Sequence, residues 1–174
     1  MTQGLLPTPP ASCRCGSVRI EIAGSPIVSA ICCCESCRTA GHALERVPDA
    51  PAIVRPDGGT EYCLYRKDRV KILAGPEYLQ ETRLTPASAT RRVVAACCGT
   101  PMFMDFTKGH WVSVYRNLAP GTPPPEMRIM TKDTPAGIGF NDAIPSYSSF
   151  PPRFMIRLLT ARARMGFSRP ALRW

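Results

Sequence analysis

Up to about Leu118 the chain alternates apolar and polar residues over short distances. Val18, Ile20 and Ile22 face one way against Arg19 and Glu21, the period-two pattern of a half-buried strand. Similar runs occur at Pro26–Ile31, Ala52–Arg55, Glu61–Tyr65, Arg69–Leu73, Glu81–Leu84, Arg91–Ala96, Pro101–Met104 and Trp111–Tyr115, separated by Gly, Pro, Asp and Asn. Their spacing predicts a mainly β domain, and no internal repeat points to a solenoid or propeller. Near the end the period changes. Pro151–Gly166 places Phe154, Leu158, Leu159 and Met165 at helical spacing among arginines, which predicts an amphipathic helix starting beside Pro151 and Pro152.

Length and punctuation divide the chain further. At 174 residues it suits one domain with appendages, and 19 prolines with 13 glycines disfavour long helices. Residues 1–11 read as a flexible tail, 12–118 as the β domain, 119–126 as a stiff Pro-rich linker, and 127–174 as an extension carrying the basic helix. The start has no basic residue before an apolar run and is broken by Pro7, Pro9 and Pro10, unlike a signal peptide. No apolar run approaches the ~20 residues of a membrane-spanning helix, so the expected location is the cytoplasm.

In that reducing setting nine cysteines, eight of them in tight groups, read as metal ligands rather than as disulfides. The groups are Cys13-Arg14-Cys15-Gly16, Cys32-Cys33-Cys34-Glu35-Ser36-Cys37 and Cys97-Cys98-Gly99-Thr100. Thiolates suit Zn²⁺ in tetrahedral sites, and short spacings let one turn aim two sulfurs at one ion. Cys63 stands alone in a strand-like run and reads as a small buried residue. A thioredoxin-like pairing of Cys34 with Cys37 lacks the surrounding βαβ pattern.

The formal charge of +9 sits mostly at the end of the chain. Residues 151–174 hold six arginines and no acid. Such a tail attracts nucleic acid or an anionic membrane surface. The preferred reading is that the helix docks on its own domain, because Leu158 and Leu159 need cover and no aromatic-interleaved basic stripe is present.

The order Cys13-x-Cys15-Gly, then Cys32-x-Cys34-x-x-Cys37-Arg38, then Cys-Gly-Thr-Pro near residue 100, resembles a divergent branch of the glutathione-dependent formaldehyde-activating enzyme and centromere protein V family. The resemblance implies a β-tent, several small coiled antiparallel sheets stapled by zinc. It also implies a structural zinc set matched by Cys13, Cys15 and Cys98, and an open, catalytic set matched by Cys32, Cys34 and Cys37. The family's first cysteine of the last pair falls on Ala95, with Cys97 added beside Cys98. Whether Cys97 takes that fourth place or the site lacks it is open at this point, so the metal candidates are Cys13, Cys15, Cys32, Cys34, Cys37, Cys97 and Cys98, for one or two zinc ions.

The implied chemistry is capture of a glutathione thiol and its addition to formaldehyde, giving S-hydroxymethylglutathione, which leans toward a carbon–sulfur lyase. Glutathione as co-substrate carries two carboxylates needing cationic or backbone donors. Arg38 is the chosen candidate, with Arg91, Arg92 and Lys108 behind it. His42 and His110 read as ordinary polar positions. The alternative is a non-catalytic, zinc-stapled binding module whose basic tail contacts an anionic partner.

Overall fold

A computed structural model describes residues 10–119 and 121–174. Ten strands form two sheets. The strands are β1 (Ala11–Ser12), β2 (Arg19–Ile22), β3 (Val28–Cys32), β4 (Thr60–Arg66), β5 (Val70–Ala74), β6 (Leu79–Thr82), β7 (Thr90–Ala95), β8 (Thr100–Phe106), β9 (Trp111–Tyr115) and β10 (Met127–Ile129). The smaller sheet has the order β1-β2-β5, and the larger β10-β3-β4-β9-β8-β7-β6. All pairs are antiparallel except β10 with β3. The mainly β expectation holds.

Alternation along the large sheet gives it two covered faces. Val93, Phe103, Val112 and Val114 point to one core, closed by Val18, Ile20 and Val70 of the small sheet. Tyr62, Leu64, Tyr115 and Ile129 point to the other, closed by two helices, α1 (Glu35–Glu45) and α2 (Pro152–Ala163). Most predicted strands match observed ones within a few residues, and Trp111–Tyr115 matches at both ends.

Three regions differ from the reading of the sequence, each for a physical reason. Ala52–Arg55 makes only an isolated bridge at Val54, because the amides of Ile53 and Val54 both donate to the Glu45 carboxylate at 2.7 Å instead of to a neighbouring strand. Helix α1 was hidden because its inward stripe is Cys37, Ala40, Gly41 and Leu44, correctly spaced but built of small residues. Smallness lets it sit close: a β-carbon on Gly41 would lie 2.3 Å from Val54. The sheet also continues past the Pro-rich linker, since Met127–Ile129 pairs in parallel with Ala30–Cys32. The expected tail lies mostly outside the described residues, as does Pro120 of the linker, but Ala11 is buried in β1.

Helix α2 docks on the large sheet. Phe154, Leu158 and Ala161 are buried, and covering each of the two large side chains contributes ~1.5–3 kcal/mol. His110 donates from Nε2 to the Leu158 carbonyl at 2.8 Å. Arg153 and Arg157 both pair with Glu126. Leu159, assigned from its spacing to the buried stripe, is instead 58% exposed. No helix among the described residues is long and apolar enough to cross a membrane.

Candidate metal centres

Two turns from distant parts of the chain meet to form a four-sulfur cluster. In the first, Gly16 at φ +80° donates to the Cys13 carbonyl, reversing the chain so that Cys13 and Cys15 flank one point. In the second, the amides of Cys98 and Gly99 both donate to the Ala95 carbonyl. Gly99 sits at φ +69°, and a β-carbon there would lie 2.7 Å from Val47. The Arg14 amide donates to the Thr100 hydroxyl at 3.1 Å, tying the turns together.

The sulfurs of Cys13, Cys15, Cys97 and Cys98 all lie within 4.8 Å of one another. Measured edges are 3.5 Å for Cys13 to Cys15, 3.8 Å for Cys13 to Cys97, 3.3 Å for Cys15 to Cys97 and 4.0 Å for Cys97 to Cys98. A tetrahedral zinc with Zn–S bonds of ~2.3 Å needs edges of about 3.8 Å. The set therefore fits zinc. Ala95, at the family's cysteine position, is fully buried in the core between the sheets, and Cys97 brings the fourth sulfur. Adjacent cysteines manage this without a positive φ at either residue, because the turn after Ala95 curls both side chains the same way.

The second cluster lies on the opposite face of the large sheet. Cys32 ends β3, and Cys34 is the N-cap of α1, its sulfur accepting from the Cys37 amide at 3.4 Å. Glu35 in the first turn adds a favourable charge at the positive end of the helix. The sulfurs of Cys32, Cys34 and Cys37 lie within 4.8 Å of one another, with 3.5 Å between Cys32 and Cys34. Hydrogen bonds from the Cys32 and Cys37 thiols, helped by the Ser36 hydroxyl and the Cys37 amide, pull Cys34 down to about 2. The same neighbours and burial push Cys32 well up.

These three sulfurs form part of the wall of a cavity of about 370 Å³. Leu64, Met104, Phe106 and Trp111 from the sheet supply an apolar lining, and Phe150, Phe154, Met155 and Leu158 roof it from in and around α2. Arg92, on the same face of β7 as Thr90, is its one charged lining residue.

Cys63 is fully buried, with Ser29 and Thr122 beside it, and Cys33 is buried away from both clusters. Arg38 turns from the cavity and donates to the Asp133 carbonyl at 3.0 Å. Arg91 is paired with Glu81 and Asp105, Lys108 is exposed, and His42 is paired with Glu45. His110 is buried under α2 and outside the cavity lining, its pKa lowered first by that burial. What the sequence did not reveal was the cavity and its roof. The only available signal for Arg92 was its parity with Thr90 and Val94, which put a cation on a covered sheet face.

Residues 8–48 match the family described as glutathione-dependent formaldehyde-activating enzyme. Over that stretch the chain is similar to the family. The match spans Cys13, Cys15, Cys32, Cys34, Cys37 and Arg38 and stops short of Cys97 and Cys98. Among solved structures, the crystal structure of a Rhodobacter sphaeroides protein is similar at a TM-score of 0.48 and 17% identity, over 66% of this chain and 91% of that one. No curated protein matches the sequence.

Proposed function

We propose that the Cys32–Cys34–Cys37 site holds zinc and forms or breaks a carbon–sulfur bond between a small thiol, glutathione in the family's chemistry, and formaldehyde or a related aldehyde. The observation that carries this reading is the convergence of three sulfurs, rather than four, on the wall of a cavity. Three protein ligands leave the position that a reactive zinc site requires. When bound, zinc supplies a Lewis-acid position at which a thiol is held as its thiolate.

The chain's own residues orient and line the site. The joint between β3 and α1 fixes the three sulfurs, and the Cys37 amide and Ser36 hydroxyl hold negative charge on Cys34. The roof of α2 and the aromatic wall give the site an apolar side. In the addition, sulfur bonds to the carbonyl carbon and the thiol proton ends on the carbonyl oxygen; cleavage is the reverse. Neither histidine lines the cavity, and neither is assigned a proton-transfer role.

The four-sulfur cluster is proposed as a second, structural zinc with no position left open. Metal analysis of gently purified protein should find two zinc ions per chain, and Cys37→Ala should retain one. Wild type should bind glutathione and accelerate its exchange with isotope-labelled formaldehyde, whereas Cys37→Ala should fall to the uncatalysed rate. Absence of glutathione binding and of exchange in the two-zinc protein would overturn the enzyme reading and favour the zinc-stapled binding module.

A further inference from the structure

Arg92 presents a discrepancy in electrostatics. It is 2% exposed, and no carboxylate pairs with it among the described residues. Its Nη2 donates to the Ser36 carbonyl at 3.0 Å, which places the guanidinium against the turn between Cys34 and Cys37. Nε and Nη1 are buried and have no acceptor. A buried cation with two idle donors is costly, and an anion that fills both removes the penalty.

The surroundings say what kind of anion. No Asp or Glu lines the cavity, so an ammonium group entering it finds no carboxylate there. The walls are otherwise mostly apolar, including Phe106, Trp111 and Phe154, and suit an alkyl or aryl body.

We infer that the cavity binds an apolar molecule bearing a single carboxylate, with the carboxylate on Arg92 and the other end toward the three sulfurs. Arg92 is thus the specificity-determining residue, and an apolar oxo-acid is a carbonyl reactant favoured over formaldehyde, which the same site also accepts. That last assignment rests on the thiol–aldehyde reading of the cysteine site; binding of the carboxylate does not.

The test is a titration of zinc-loaded protein with 3-phenylpropanoate and its uncharged amide, followed by calorimetry and by the fluorescence of Trp111. The acid should bind at least about tenfold more tightly than the amide, because only it satisfies both idle donors with charge. In Arg92→Met the two should bind within about twofold of each other, while zinc content stays unchanged and the melting temperature is equal or higher, since the lost cation has no acidic partner. Arg92→Lys should keep part of the preference and serves if the Met variant does not fold.

Equal binding of acid and amide by wild type, or no saturable binding of the acid, overturns the proposal and leaves Arg92 as a counter-charge to the thiolates. Retention of the acid preference in Arg92→Met overturns it too. A preference for the acid in protein that shows no glutathione exchange supports the carboxylate site while overturning the thiol–aldehyde reaction, so the two failures are distinguishable.

Discussion

The two cysteine clusters use the same atom in different settings. Cys13, Cys15, Cys97 and Cys98 come from two turns far apart in the chain, joined by the Arg14 amide on the Thr100 hydroxyl and by a shared core, and Cys15 and Cys97 are exposed. Cys32, Cys34 and Cys37 come from one strand–helix joint that the backbone already holds, and they face a roofed cavity. The ion proposed for the first set would tie together segments distant in the chain. The one proposed for the second would sit on a local strand–helix joint. Under the proposed function the two clusters differ in how far the surrounding fold depends on the ion, as well as in the number of sulfurs.

The largest effect that sharpens this contrast is expected at the turn-built cluster. Cys13→Ser should release one zinc and lower stability by more than about 3 kcal/mol, and chelators should unfold the wild type, since metal affinity there is folding energy. Denaturant melts with metal analysis measure both. Cys37→Ala should instead lose its zinc while the cooperative melt persists. Equal destabilisation by the two substitutions would erase the distinction.

An intermediate effect separates Cys97 from the position that the family uses. Cys97→Ala should weaken zinc retention at the four-sulfur cluster by roughly tenfold or more, read by competition with a chromogenic chelator. Adding Ala95→Cys should not restore it, because residue 95 points into the core between the sheets.

The smallest effect lies in the docking of α2. Burial raises the Glu126 pKa, but Arg157 and Arg153 overcome this and leave it lowered. A lowered carboxylate pKa contributes stability that is present above the unfolded value of 4.5 and is lost as pH falls through the folded one. Acid melts should therefore show α2 loosening below about pH 4.5, and Glu126→Gln should remove that dependence at a cost of about 1 kcal/mol or less at neutral pH.

How far the sequence foretold these features depends on how local each cause is. The strands were legible because alternation is written residue by residue, and cysteine needs no register to be noticed. Cys63 was separable because it lacked a neighbour. Helix α1 was not legible, since Ala40 and Gly41 carry little hydrophobic signal and their smallness has meaning only against Val54. The failure of Ala52–Arg55 as a strand was equally remote in cause, lying in the Glu45 carboxylate. Arg92 looked like one more surface arginine until β4, β7, β9 and α2 closed around it. Leu159 shows the converse error, a correctly periodic residue to which the fold supplies no neighbour.

Helix α1 has one end in each cysteine neighbourhood. It begins at Cys34, and just beyond its other end Val47 rests where a side chain on Gly99 would go. Eleven residues of helix span about 16 Å, a rigid strut. Bulk introduced at residue 99 therefore pushes on a lever whose far arm is the three-sulfur cluster, so a lesion in one sulfur nest is felt mechanically in the other.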